Sequence, residues 1–266
     1  MGYIAFSVTS LWILEVCIIL LLHSCGIYLL VTQERRKVQD IILIQLSVCE
    51  CLSIIWDMAH YKQTIFSSDD MTSDNWTGVL VIWIAIFLSI AALTMDRFLA
   101  VKLNIKYGLH VTIKRALITL AVTWIIALAH VVHYWYFDLS RHHVIFLAWE
   151  CALLLLIISV YTFIFVSVRL RWNQIHRAGV PGLTQRPLNY KIPALIVVSF
   201  VCFVSLLDLL QFFGVEYKAW LSLVYNLNFL TDAAVYILGS PRTRRRLFKY
   251  WTSDSQTAPR PSTIVV

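Results

Sequence analysis

Charged residues are scarce in this chain. Only 14% of its 266 residues are Asp, Glu, Lys or Arg, whereas 59% are hydrophobic, and the mean hydropathy is +0.74. A soluble domain of this length cannot hide so much apolar surface in one core, so the composition excludes an ordinary soluble protein. The net charge of +7 sits in short loops between apolar runs, which favours contact with membrane lipids and no binding of nucleic acid.

Proline and cysteine are absent from the places where they usually matter. No predicted helix interior contains proline, the common cause of a sharp kink, so we expect straight helices. None of the six cysteines falls in a predicted outside loop, and no Cys/His spacing suits a metal, so neither a disulfide nor a metal site is expected. The chain also lacks nucleophile–base and phosphate-binding patterns, and we do not expect an enzyme.

Long apolar runs dominate what is present. Each holds roughly 20 residues or more, enough to cross a hydrocarbon core of about 30 Å, and in lipid such a run must be helical. We therefore predict an all-α membrane protein, a seven-transmembrane helix bundle in one domain over residues 1–251. The predicted spans are about 4–31, 38–61, 76–101, 112–134, 144–169, 190–213 and 218–239.

Lysine and arginine are distributed very unevenly between the two sets of loops. Nineteen of the 22 lie on one side, and only Lys62, Arg141 and Lys218 lie on the other. Cytoplasmic loops carry the excess of positive charge, which predicts an extracellular N-terminus and a cytoplasmic C-terminus in a multi-pass protein of the plasma membrane. Asn75-Trp76-Thr77 is a glycosylation sequon in a predicted outside loop, which agrees with this orientation.

The segment after the seventh span mixes basic and apolar residues. Residues 241–251 begin with Pro241 and predict a short amphipathic helix on the cytoplasmic membrane surface. Residues 252–266 are polar and predicted to be a disordered cytoplasmic tail. Its Ser and Thr residues suit phosphorylation and arrestin capture, and Ile264-Val265-Val266 has a form that some PDZ domains accept.

The end of the third span carries the most specific motif. The run is Thr94-Met95-Asp96-Arg97-Phe98-Leu99-Ala100-Val101, and it is followed by Tyr107, Lys114-Arg115 and Trp124. It resembles the rhodopsin-like family of G-protein-coupled receptors, whose pattern is Asp-Arg-Tyr with a short loop ending in Tyr. The chain has no fifth-helix proline and no outer-loop cysteine, and in these two respects it resembles the melanocortin-like branch of the family. The resemblance extends from the first helix through the basic helix.

Further positions match the family in order. Glu50 stands for the Asp of a Leu-Ala-x-x-Asp-Leu motif, and Asp232-Ala233-Ala234-Val235-Tyr236 resembles Asn/Asp-Pro-x-x-Tyr without its proline. The resemblance implies that Asp96 holds Arg97 at rest. On activation Arg97 moves toward Tyr161 and Tyr236, and a cleft opens for a heterotrimeric G protein. Phe98 completes this predicted coupling motif. Phe203-Val204-Ser205-Leu206 replaces the usual Cys-Trp-x-Pro hinge, and Arg186 stands where an acid often locks the sixth helix.

Glu50, Asn228 and Asp232 predict a polar cluster inside the membrane. A carboxyl in mid-membrane is costly and normally faces a polar interior. Two facing carboxyls require either a proton or a cation between them. The resemblance implies a sodium ion here, although Ile86 stands where a Ser would help to hold it. The alternative is hydrogen bonding between helices alone.

Several acids and aromatic residues predict an outer ligand pocket. Asp57 lies two turns beyond Glu50 on the same helix face. The candidate lining residues are Asp57, Trp83, Trp149, Glu150, Asp208 and Tyr225. Such a cavity would suit a cation or a basic peptide, as an extracellular ligand of unknown identity. Alternatively, each acid is merely hydrogen-bonded within the bundle.

These observations favour a G-protein-coupled receptor that transduces an extracellular small molecule or peptide through helix rearrangement around Asp96-Arg97. One alternative is a cation- or proton-coupled transporter or channel using Glu50, Asp57 and Asp232. It lacks the internal repeats typical of transporters. The other alternative is a receptor-fold protein that no longer signals.

Overall fold

A computed structural model of the chain describes residues 2–33, 37–66, 73–103, 106–136, 139–177, 191–205, 219–239 and 243–248. Within these ranges the backbone is helical and contains no strand. The helices are α1 (Gly2–Val31), α2 (Val38–Phe66), α3 (Ser73–Leu103), α4 (Tyr107–His110), α5 (Ile113–Tyr136), α6 (Leu139–Arg177), α7 (Lys191–Phe200) and α8 (Ala219–Gly239). The predicted all-helical class is confirmed.

Five helices are long and apolar enough to cross a membrane, namely α1, α2, α3, α5 and α6. By length and composition the chain is therefore a helical, multi-pass membrane protein. The predicted sixth and seventh spans correspond to α7 and α8, which begin one residue after the predicted starts. Residues 206–218, between these two helices, lie outside the described ranges, as do the predicted tail residues 252–266.

Two helices begin earlier than hydropathy predicts. Helix α3 begins at Ser73, so Asn75 lies in its first turn and not in the loop where we expected it. Helix α6 begins at Leu139, within the segment that we expected to be a loop. Hydropathy marks only the part of a helix that is in hydrocarbon, whereas a helix continues wherever its residues permit. Ser73 and Asp74 favour a helix N-terminus.

Helix α3 is the central element of the described bundle, because it contacts α2, α5, α6 and α7. In its apolar segment 61% of the residues are buried, against 17% in α6. Ile86, Ile90, Leu93 and Arg97 follow one another at spacings of four, three and four residues, which places them on one helix face. All four are buried, so this face of α3 points into the described bundle.

Polar ties supplement the apolar packing. Lipid tails are as apolar as leucine, so helix association depends on van der Waals contacts and on hydrogen bonds between helices. The amide Nε2 of Gln45 on α2 lies 3.1 Å from Ser89 Oγ of α3 and donates to it. The same nitrogen donates to Thr123 Oγ1 of α5 over 3.2 Å. Gln45 therefore links three helices.

Helix α7 changes from α-helical to π-helical geometry at Val201–Ser205. No proline is present there, so proline is not the cause of this backbone irregularity. Short π-helical turns often mark functional sites in helices. The π turn includes Phe203, Val204 and Ser205, which the resemblance aligns with the Cys-Trp-x-Pro pattern. Just before it, the ring of Phe200 packs edge-on against Phe87, with centroids 4.9 Å apart.

A short helix follows α8 at residues 243–248, inside the predicted surface helix 241–251. Thr243 Oγ1 donates to the carbonyl oxygen of Ile237 at 2.9 Å, which satisfies a carbonyl near the end of α8. Arg246 Nη1 donates to the carbonyl oxygen of Thr32 at 3.0 Å. These bonds attach the basic segment to the ends of α1 and α8.

Candidate functional site

Buried polar side chains form two groups in the described part of the bundle. The first, which we call the polar cluster, consists of His23 of α1, Ser47 and Glu50 of α2, Ser199 of α7, and Asn228, Asp232 and Tyr236 of α8. The second, which we call the arginine site, consists of Asp96 and Arg97 of α3 and Tyr107 of α4. Together they contain six of the site residues that the sequence predicted, namely Glu50, Asp96, Arg97, Asn228, Asp232 and Tyr236.

Helical periodicity gathers the polar cluster from four helices. Asn228, Asp232 and Tyr236 are spaced by four residues and form one stripe on α8. Ser47 and Glu50 are three apart and share a face of α2. Helix α1 packs against both α2 and α8, which brings its own polar residue to the same place. The structure thus unites the predicted Glu50, Asn228 and Asp232 with partners that the sequence did not reveal.

His23 is the most important residue that sequence reasoning missed. Its side chain is fully buried, and its Nε2 lies 3.0 Å from the carbonyl oxygen of Phe229. The same nitrogen lies 3.4 Å from Oε2 of Glu50. The ring also meets Tyr236 edge-on, with centroids 5.9 Å apart. A histidine within an apolar span was itself a functional signal, because ionisable residues are rare in such spans.

Glu50 and Asp232 face one another at the centre of the cluster, and both side chains are fully buried. Among the described residues, none of their four carboxyl oxygens makes a hydrogen bond of regular geometry, and neither does the hydroxyl of Tyr236. Buried polar groups without partners are costly. Two ionised carboxyls cannot remain side by side in so dry a place without a compensating positive charge.

Ser199 joins α7 to α8. Its hydroxyl donates to Oδ1 of Asn228 at 2.9 Å, and Asp232 lies beside it. The bond lies about half a helical turn before the π turn at Val201–Ser205. The predicted cluster residue Asn228 therefore contacts the sixth predicted helix rather than the carboxyl of Glu50 directly.

In the arginine site, Asp96 accepts from two different partners. Arg97 Nε donates to Asp96 Oδ2 at 2.9 Å, and Arg97 Nη2 also contacts that oxygen. The other oxygen, Oδ1, accepts from the hydroxyl of Tyr107. Asp96 is 4% exposed and Arg97 is 8% exposed, so the pair is a desolvated ion pair rather than a surface one. Burial raises the pKa of Tyr107 above its ordinary value, and the bond to Asp96 adds to the rise.

The other predicted coupling residues are divided between the two groups. Tyr161 of α6 lies beside Thr94 and Arg97 and packs against Val101, while its hydroxyl has no regular hydrogen bond among the described residues. Tyr236, by contrast, belongs to the polar cluster. Phe98 points to α6, where its ring lies 5.3 Å from that of Phe163, and Lys102 Nζ lies 5.5 Å from the centroid of the Phe98 ring.

The predicted ligand pocket is only partly represented in the described residues. Trp83 and Tyr225 lie together, with ring centroids 5.9 Å apart, and Trp83 also packs on Phe229 at 6.1 Å. Asp57 is half-buried on α2. Trp149 and Glu150 belong to α6, but their side chains lie outside the described set, as does all of Asp208. The side chain of Asn75 is also outside it.

A cavity of about 390 Å³ lies between α1 and α8, and it does not contain the predicted pocket residues. Its lining residues are Leu11, Leu14, Glu15, Ile18, Val224, Leu227 and Leu230. Several of these leucines are exposed on the outer face of the bundle. The cavity is therefore a lateral, almost wholly apolar groove that faces the lipid.

No model of a known protein family matches the chain. No curated protein matches its sequence significantly either.

Proposed function

We propose that the protein is a rhodopsin-like G-protein-coupled receptor with seven transmembrane helices, an extracellular N-terminus and a place in the plasma membrane. The observation that carries the proposal is the buried Asp96–Arg97 pair at the end of the central helix α3. A desolvated ion pair in this position is costly to build, and replacement by apolar residues is often neutral or stabilising. Its presence therefore favours a role in switching over one in stability.

The arginine site supports a definite sequence of events. At rest, Asp96 is bound by Arg97 and by Tyr107 through different oxygens. When Arg97 leaves Asp96, its guanidinium can reach the nearby hydroxyl of Tyr161, which has no regular partner in the described residues. The vacated surface then receives a heterotrimeric G protein. Arg186 replaces the acid that would restrain the sixth helix. The hydrogen bond from Tyr107 to Asp96 compensates, because it adds a second contact that stabilises the resting state.

The polar cluster supplies the link toward the outer half of the bundle. Trp83 contacts Phe229, whose carbonyl accepts from His23 in the cluster. A ligand that displaces the Trp83–Tyr225 pair would therefore disturb α8 next to Asp232. The π turn of α7 provides a place for helix rearrangement without proline. An unknown cation or basic peptide fits the acidic and aromatic residues predicted for the pocket.

A guanine-nucleotide exchange assay tests the proposal. The full-length protein in lipid nanodiscs is mixed with a panel of purified heterotrimeric G proteins, and basal exchange is measured without ligand. We expect exchange above that of empty nanodiscs with at least one G protein, and its loss in Arg97→Ala. Arg115→Ala is the matched control, because Arg115 is exposed nearby and donates to the carbonyl of His110. Equal exchange by wild type and Arg97→Ala would refute signalling through this site.

One observation favours a second function. His23, Glu50 and Asp232 place three ionisable groups inside the bundle, as proton- or cation-coupled transporters do. Proteoliposomes loaded with a pH dye would report such transport, and Glu50→Gln should abolish it. If neither nucleotide exchange nor transport is found, the results favour the remaining alternative, a protein with the receptor fold that does not signal.

A further inference from the structure

The position of His23 beside Glu50 has a chemical consequence for the polar cluster. A carbonyl oxygen can only accept, so the hydrogen bond to Phe229 requires that Nε2 of His23 carries the proton. Nε2 itself lies 3.4 Å from Oε2 of Glu50. One side of the Glu50 carboxyl is therefore already next to a donor that belongs to the protein.

A sodium ion fits these residues poorly. Hard cations are held by several oxygen atoms, and a donor N–H repels them. On α3 the position where the resemblance implies a hydroxyl is Ile86, which is fully buried and offers no oxygen. His23 occupies the side of Glu50 toward α1. In the described part of the chain, the carboxyl oxygens of Glu50 and Asp232 have no regular hydrogen-bond partner and could serve a cation. However, His23 places a donor beside Glu50 and Ile86 adds no oxygen from α3, so the set fits sodium poorly.

The charge balance of the cluster must then be met in another way. The ionisable groups facing Glu50 are Asp232 and Tyr236 from α8 and His23 from α1, with Cys49 and Cys51 adjacent on α2. Among the described residues of α7, the neutral Ser199 is the one that reaches the cluster. Among these groups His23 is the one base, and its Nδ1 has no hydrogen-bond partner in the described residues. Within the described part of the bundle, side chains therefore cannot neutralise both carboxylates.

We propose that the side chain of His23 fills the space beside Glu50 that a bound cation would need, and that the Glu50–Asp232 pair holds at least one proton instead of sodium. The ligand of this site is the proton, shared by the two carboxyls as a unit. The inference concerns what occupies the cluster, so it stands or fails independently of coupling to a G protein.

Infrared spectroscopy of the wild-type protein in nanodiscs tests the proton directly. A protonated carboxyl and a carboxylate absorb at different frequencies, and a Glu50→Gln/Asp232→Asn double variant identifies the contribution of the pair. We expect a carboxylic-acid band at neutral pH that the double variant lacks and that is the same in sodium chloride and in choline chloride. A band that sodium removes, or a wild-type spectrum with no such band, overturns the proposal.

Thermal unfolding tests the role of His23. The Tm of the wild type should be equal in sodium and choline chloride, whereas His23→Asn should gain a sodium-specific increase of about 2–4 °C. His133→Asn on α5 is the matched control and should gain none. Sodium-specific stabilisation of the wild type, or a folded His23→Asn protein that is indifferent to sodium, contradicts the proposal. If His23→Asn does not fold, the infrared comparison decides.

Discussion

The Tyr107→Phe substitution removes one hydroxyl from the arginine site and leaves the ring in place. That hydroxyl donates to Oδ1 of Asp96, the carboxylate that also holds Arg97. Under the proposed function, the bond exists only while Asp96 and Arg97 are in their resting arrangement. Its loss should therefore raise the population of the active state and, with it, basal nucleotide exchange.

The size of the effect follows from the surroundings of the bond. A hydrogen bond to a charged group contributes about 1.5–3 kcal/mol, and because Tyr107 is half-buried we take the lower end of that range. A change of about 1.5 kcal/mol multiplies the equilibrium constant by roughly 12. A receptor that is about 1% active at rest would become about 11% active. The assay is basal exchange in nanodiscs, normalised to the amount of folded protein.

The pH dependence provides an internal check. The pKa of Tyr107 is raised, so its protonated form is favoured in the folded protein, and the bond persists at every pH below the ordinary tyrosine pKa of about 10. The bond is lost only at a pH above about 10, where Tyr107 itself ionises in the folded protein. The ratio of Tyr107→Phe to wild-type exchange should therefore be constant between about pH 6 and pH 9. Unchanged basal exchange in Tyr107→Phe, with Arg97→Ala inactive, would refute the proposed second hold on Asp96.

Three further predictions concern the fold. Ile90→Ala on the buried face of α3 should lower the free energy of unfolding by about 2 kcal/mol, the low end for such a change because lipid already solvates apolar groups. Ile126→Ala is the control, since Ile126 is 42% exposed, and it should change the Tm little. Equal falls in Tm for the two variants would contradict the assigned face. Gln45→Leu removes two hydrogen bonds between helices and should lower the free energy of unfolding by about 1 kcal/mol, which corresponds to a fall in Tm of about 2–4 °C. The control variant Gln39→Leu should show no such fall. Asn75 lies in the first turn of α3, close to the bilayer, so we expect that it is not glycosylated in eukaryotic cells. Treatment with peptide-N-glycosidase should then leave the electrophoretic mobility of the protein unchanged. A mobility shift that Asn75→Gln abolishes would show that Asn75 is glycosylated.

The sequence predicted the arginine site better than the polar cluster. Asp96 and Arg97 are adjacent in the chain, so their contact is local, and the end of an apolar run locates them. Tyr107 is eleven residues from Asp96 and lies beyond the end of α3, so the period of that helix does not relate the two. In the polar cluster, His23 contacts the carbonyl oxygen of Phe229, which lies 206 positions further along the chain. No periodicity within one helix predicts such a contact.

The errors of the sequence reading have the same origin. Hydropathy reports where a helix is in lipid, and it therefore missed the outer first turn that contains Asn75. It also says nothing of backbone geometry, so the π turn at Val201–Ser205 was not expected in a segment without proline. For Glu50 and Asp232, the cost of a buried carboxyl was enough to predict a polar site. It could not identify which base would accompany them.

By itself the sequence determined that the chain is helical and that it crosses a membrane several times. Lipid imposes these properties, because every backbone group must be satisfied within its own helix and each span must match the hydrocarbon thickness. The tertiary structure alone decided which helices are neighbours. Only the packing of α1 between α2 and α8 brings His23 to Glu50, and only the turn into α4 brings Tyr107 to Asp96.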